Sequence, residues 1–195
     1  MMSNINIEKL VEKFDTIIDS IKNENRKNQI KMMMEKIGSS YFIAPAAAKE
    51  EYHDAFPGGL LYHTLKVYSN MNRMCKMFYP DIDNDSIIIT SLFHDLGKAC
   101  TVSNQEIYIP IKEQWKLDRG INYELNPEIR DGLTHAQRSV RLLSFYGIEL
   151  TEEEYLSILT HDGLFVDENI CFKYKLNKLS SLLHFSDYFS VFHQG

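Results

Sequence analysis

Cysteine is scarce: only Cys75, Cys100 and Cys171 occur in 195 residues, widely spaced and odd in number. That pattern excludes a disulfide scaffold and a zinc knuckle, and it leads to the expectation of a reducing, cytoplasmic setting. Long apolar runs are missing as well, so no segment is expected to span a bilayer and no membrane partner is expected. The first residues are polar and acidic where a signal peptide would be basic and then apolar. Positive charge is in deficit. With 21 Lys and Arg against 27 Asp and Glu, the net charge is -6 at pH 7, which disfavours a non-specific grip on nucleic acid across the surface. Internal repeats and low-complexity tracts are also lacking. What remains is 44% hydrophobic and 25% charged, an ordinary globular composition with the length for one domain and a real core.

The stretch that organises the chain is Leu92-Phe93-His94-Asp95-Leu96-Gly97-Lys98. It closes an apolar segment from Ser86 whose length favours a buried helix over a strand, with Asp85 available as its cap. Neighbouring His and Asp side chains diverge on a straight helix, so both reach one ion only where the ion sits over the helix end. Gly97 is expected to supply that end through a left-handed cap, with Lys98 placing a cation nearby.

Upstream, Leu10, Phe14, Ile17, Ile18 and Ile21 recur at helical spacing, and Ile30, Met33, Met34 and Ile37 form a second amphipathic stretch expected to end at Gly38. These two helices are expected to form an N-terminal cover, residues 1–43, over a core of residues 44–195. Pro45 is expected to open a short helix over Ala46 to Ala48. The loop His53 to Gly59 then feeds a helix from about Leu60 to Met77 that carries His63 near its start. Between Thr101 and Asn126 the texture changes. Ile107 to Ile109, Trp115 to Leu117 and Ile121 to Leu125 have strand character around the turn Asp118-Arg119-Gly120, which reads as a small inserted hairpin. A helix from about Leu133 to Tyr146 carries His135 in its first turn. Thr151 and Glu154 form a capping box for a helix with Tyr155, Ile158 and Leu159 inward, ending at His161-Asp162-Gly163. A last helix runs from Leu179 through His184 and Asp187 to Phe192. The fold class is therefore all-α: a single-domain helical bundle with a small inserted β-hairpin.

His63, His94, Asp95, Asp187, His135 and His161 form a nitrogen- and oxygen-donor set suited to divalent metal, and four of the six fall at expected helix or loop boundaries. His63, His94, Asp95 and Asp187 would hold a first ion. His135 and His161 would hold a second, with Asp95 as the bridge. A bound pair would reverse the local field of an acidic chain and accept a phosphate. Lys98 is the candidate phosphate clamp, with His53 and Arg138 as further candidates, while Trp115, Arg119 and Tyr123 of the hairpin are candidates to hold a base or phosphate.

In the motifs Phe56-Pro57-Gly58-Gly59-Leu60-Leu61-Tyr62-His63-Thr64-Leu65, His94-Asp95-Leu96-Gly97-Lys98, His135, His161-Asp162-Gly163 and Leu183-His184-Phe185-Ser186-Asp187, the chain resembles the HD-domain metal-dependent phosphohydrolase superfamily. The resemblance implies an HD-type bundle from about Ala44 onward, with metal ligands at His63, His94, Asp95 and Asp187, joined in two-metal members by His135 and His161. Asp162 stands where relatives often have another histidine. The implied activity is hydrolysis of a phosphoester by metal-activated water; Asp95, which could orient the nucleophile, and Lys98 are the candidate catalytic residues. The implied cofactor is one or two divalent ions: manganese, iron, cobalt, nickel or magnesium. The expected substrate is a nucleotide or other small phosphorylated compound. Cleavage of short nucleic acid in the manner of a 3'-5' exoribonuclease branch is an alternative, and so is a regulatory protein that binds nucleotide without turnover. A homodimer completing the pocket is left open.

Overall fold

The computed structural model describes residues 5–192, apart from the side chains of Phe165 and Phe192. It is an all-α bundle with a two-stranded antiparallel hairpin inserted, as the periodicity leads one to expect. Helix α1 (Ile7–Asp19) is capped by Asn6, whose side chain accepts from Lys9 N–H, and it buries Phe14, Ile17 and Ile18. Helix α2 (Glu24–Ile43) follows after a short turn. That turn is held by Asp85, which accepts from the backbone N–H of Lys22 and Asn23 at 2.9 Å each. Asp85 therefore caps a distant turn, while Asp83 stands at the N-cap of its own helix α4 (Asn84–Phe93).

Helix α2 does not stop at Gly38. Tyr41, one turn on, is fully buried, donates its hydroxyl to Leu92 O at 2.6 Å and meets Thr64 Oγ1 at 2.9 Å. Burying that ring outweighs the modest cost of a glycine inside a helix. No helix forms over Ala46 to Ala48. Their backbone groups are spent across the chain: Ala46 N–H donates to Asp54 O, and Ala48 O accepts from Asn122 and Tyr123 N–H. Gly58, at φ +84°, then turns the chain into α3 (Gly59–Phe78).

Ile87, Ile88 and Ile89 are all buried in α4, so the isoleucine run is a helix wrapped on all sides and not a strand. Beyond it, Leu96–Lys98 form one 3-10 turn. Gly97 is not the left-handed cap expected of it, since its φ is not positive. Its role is close approach: a Cβ there would run into His135 O of the next layer.

Strands β1 (Tyr108–Pro110) and β2 (Tyr123–Leu125) pair with Tyr108 opposite Leu125 and Pro110 opposite Tyr123. Trp115 to Leu117 are helical instead of extended, within α5 (Gln114–Leu117). Trp115 is exposed there, with no sheet face to pack on, and Lys116 pairs with Glu113 one turn back and with Glu124 of β2.

Helix α6 (His135–Phe145) opens on a capping box of Thr134 and Gln137, and α7 (Glu152–Leu159) on one of Thr151 and Glu154. Glu154 is buried and also receives Arg26 and Ser86 at 2.6 Å each, binding α2, α4 and α7 together. Tyr155 lies half exposed and not inward. Helix α8 (Lys178–Phe192) packs along α3, with Leu179, Leu182 and Leu183 against Val67, Met71 and Cys75. A single larger core joins Phe14, Ile17, Ile37 and Tyr41 to Leu61, Phe93, Leu143 and Ile158. Among the described residues, no helix is long and apolar enough to cross a membrane.

Candidate metal centre

Five helices deliver their chemistry to one place. His94 is the C-cap of α4, its N–H still bonded to Thr90 O, and Asp95 at φ -101° leaves the helix. That break turns the two side chains toward a common point, which a straight helix forbids. His63 comes from the second turn of α3, Asp187 from α8, His135 from the first position of α6, and His161 from just past the C-cap of α7.

The imidazoles are aimed from behind. His94 Nδ1 lies 2.9 Å from Ser91 O and His161 Nδ1 lies 2.7 Å from Ile158 O, so each carries its proton on Nδ1 and donates it to a carbonyl. Ser190 Oγ donates to Asp187 O at 2.7 Å and is left to accept from His63 Nδ1 at 3.2 Å. His63, His94 and His161 therefore all turn Nε2 inward, where it can carry a proton or meet a metal ion.

Asp95 divides the centre. Its Oδ2 lies 3.5 Å from both His63 Nε2 and His94 Nε2, and 2.7 Å from Lys98 Nζ. Its Oδ1 lies 3.4 Å from His161 Nε2 and 3.5 Å from His135 Nε2, and is buried with no hydrogen-bond partner among the described residues. Asp187 Oδ1 completes the first half at 3.0 Å from His63 Nε2. Asp162 completes the second, with Oδ2 3.3 Å from His135 Nε2. In the first half, His63 Nε2 and His94 Nε2 stand 3.3 Å apart, and in the second His135 Nε2 and His161 Nε2 stand 3.1 Å apart. Facing lone pairs at that distance repel unless a cation, a proton or a metal ion, lies between them. The residues present thus fit a divalent metal: a buried histidine and aspartate cluster whose donor atoms converge, with one carboxylate oxygen orphaned.

The electrostatics agree. Burial pushes His94 down to about 4, keeping it a neutral ligand. Burial also works against charge on His161, but the facing carboxylates of Asp95 and Asp162 outweigh it and raise the group to about 9. Burial opposes ionisation of Asp162 too, yet His135 and His161 bring it down to about 2. Asp95 and Asp187 are likewise held below the usual carboxylate range in spite of burial, chiefly by Lys98 and His94 in one case and by His63 in the other.

The other expected residues lie in different settings. Lys98 and Tyr123 line a cavity of about 150 Å³ together with Tyr108, Pro45, Pro57 and Pro110. Arg138 is buried and occupied: it donates to both oxygens of Asp131 at 2.9 and 3.0 Å, to Gly97 O and to Leu133 O. Arg119 stacks over the exposed Trp115 ring at 5.3 Å. The His53 ring sits 4.9 Å from that of His63, and burial, with the fields of His63 and Lys98, pushes it down to about 3. His184 Nδ1 lies 2.8 Å from His161 O, bracing the backbone behind that ligand.

Asp162 is the donor that reading the sequence did not place among the ligands. Its signal was available, since His161-Asp162 repeats the His94-Asp95 pair at a second helix end. Ser190 had no such signal, because its hydroxyl meets His63 only through tertiary structure, whereas the Ser91 carbonyl behind His94 lies one turn back on the same helix. No family model matches the chain, and no solved structure matches it. Fold and centre together define the class: an all-α bundle with a buried His/Asp cluster able to chelate a divalent metal.

Proposed function

We propose that the protein is a metal-dependent phosphohydrolase acting on a small phosphoester, a nucleotide or a compound of similar size, through a pair of divalent ions. The observation that carries this reading is Asp95, whose two oxygens each face a separate pair of imidazole nitrogens. One carboxylate shared in that way is how two ions are held close together. The motif resemblance to HD-domain phosphohydrolases supports the same chemistry.

His63, His94, Asp187 and Asp95 Oδ2 would hold one ion; His135, His161, Asp162 and Asp95 Oδ1 would hold the other. Such ions, when bound, supply Lewis acidity toward phosphoryl oxygens and a water acidic enough to attack phosphorus near neutral pH. The chain's own groups do the rest. Asp95 fixes the spacing of the two halves. Lys98 neutralises Asp95 Oδ2 and reaches the cavity beside it, where its ammonium can pair with a phosphoryl oxygen. Burial of His63, His94 and Asp95 keeps bulk water from the floor of the centre, which strengthens every charge interaction there. The small cavity, in which Lys98 is the one cation among the described residues, favours a compact substrate over a polynucleotide.

The test is a screen of phosphomonoesters and phosphodiesters with the manganese- or cobalt-loaded protein. Hydrolysis that is lost in Asp95→Ala supports the reading. No turnover of any phosphoester by the loaded protein would refute it.

A further inference from the structure

His53 is a polar group that neither the metal centre nor the fold employs. Its Nε2 is buried and has no hydrogen-bond partner among the described residues. A buried polar atom left unpaired costs free energy and calls for an explanation.

The chain goes to some length to keep it there. The next residue, Asp54, is held at φ +46°, one of two non-glycine residues with positive φ among those described. A residue other than glycine in that region is strained, and strain of this kind persists only where the surroundings impose it. Here they impose it three times. Asp54 O accepts from Ala46 N–H at 3.1 Å and from Phe56 N–H at 2.9 Å. Its carboxylate is buried and takes Lys66 Nζ at 2.7 Å, one turn along α3 from His63. Gly59 supplies the space, because a Cβ there would run into the Asp54 carbonyl. The loop is thus pinned to the helix that carries a metal ligand, and the pinning sets the His53 ring 4.9 Å from the His63 ring at an angle of 44°.

We infer that His53 is a substrate-contacting residue whose Nε2–H donates a hydrogen bond to a phosphoryl oxygen bound at the half of the centre made by His63, His94 and Asp187. The inference rests on the phosphohydrolase reading and adds to it a ring N–H donor whose loop is pinned in advance. A donor that is desolvated and already oriented gives up no water and little freedom when the anion arrives, so its bond counts at nearly full strength. The hydrogen bonds and the ion pair that pin Asp54 are what hold that orientation in the free protein.

Inorganic phosphate titrated calorimetrically into the manganese-loaded full chain tests this without relying on turnover. His53→Ala is expected to weaken phosphate binding by about 10- to 100-fold, the range for a lost bond to a charged group. Metal content and the helical circular dichroism signal should be unchanged. His53→Gln, whose terminal amide can stand where Nε2 stands, should recover most of the affinity. A purely structural histidine would not give that recovery without a change in melting temperature. Equal phosphate affinity in wild type and both variants would overturn the assignment, as would loss of manganese from the variants or failure of the wild type to bind phosphate. Phosphate binding that depends on His53, in a protein that turns over no phosphoester, would sink the hydrolase reading and leave the contact standing. Turnover with phosphate binding indifferent to His53 would do the reverse.

Discussion

Asp95 binds the two halves of the centre into one, because each of its oxygens faces a different pair of histidines while Lys98 balances its charge. Replacing it by alanine should release both ions and abolish hydrolysis, with the far-ultraviolet circular dichroism largely retained. His94→Ala should do the same to the half it shares with His63. Normal metal content and turnover in both variants would reject these assignments. Lys98→Ala has a different expected outcome: metal content is kept, while KM for a phosphoester rises about tenfold or more, as for loss of one charge-assisted bond. Unchanged kinetics across several phosphoesters would remove that role. At this scale the sequence was readable where a residue type carries its own chemistry, as at His63, His94, Asp95, His135, His161 and Asp187. It was mute on Ser190, whose hydroxyl meets His63 Nδ1 only because folding sets α8 behind that ring.

Each helix contributes a terminus or a single turn to the centre, so small residues at the junctions govern the geometry. Gly97 lies where α6 crosses the 3-10 turn, and its missing Cβ lets His135 O, Arg138 Cβ and Ser139 N come close. Ser139 Oγ seals the junction, donating to His94 O at 2.6 Å and accepting from Gly97 N–H at 2.8 Å. Gly97→Ala must push α6 away from that turn. The expected cost is about 3 kcal/mol, a Tm lower by roughly 6–12 °C, with His135 drawn off Asp95 and the second ion bound more weakly than the first. Thermal unfolding together with metal titration checks both parts. Periodicity and caps made most helices legible, including the capping box at Thr151 and the buried α4. The misread elements share one cause: long-range partners overrode a local signal, as Tyr41 carried α2 past Gly38 and Lys116 folded α5 out of an expected strand.

For the molecule as a whole, an acidic chain concentrates histidine in its interior, and that arrangement dictates how the metal-free protein responds to pH. His94 has a depressed value of about 4, so the unfolded chain binds its proton more readily, and stability falls as pH drops from the ordinary histidine value toward 4. His161 has a raised value of about 9, so its contribution is full below the ordinary value and is lost as pH climbs through about 9. Stability without metal should therefore peak near pH 6.5. Metal occupying His161 Nε2 should abolish the alkaline decline and release a proton on binding near neutrality. Melting curves in chelator from pH 4 to 10, repeated with manganese, check this. An alkaline decline of equal size with and without metal would contradict it.

Metal stoichiometry tests the central claim most directly: elemental mass analysis of the full chain, freed of metal by chelator, reloaded with manganese or cobalt and desalted. A centre split by Asp95 predicts two ions per chain in the wild type and none in Asp95→Ala. A wild-type protein that retains no ion, and takes none up on titration, would contradict the metal centre and the hydrolysis built on it.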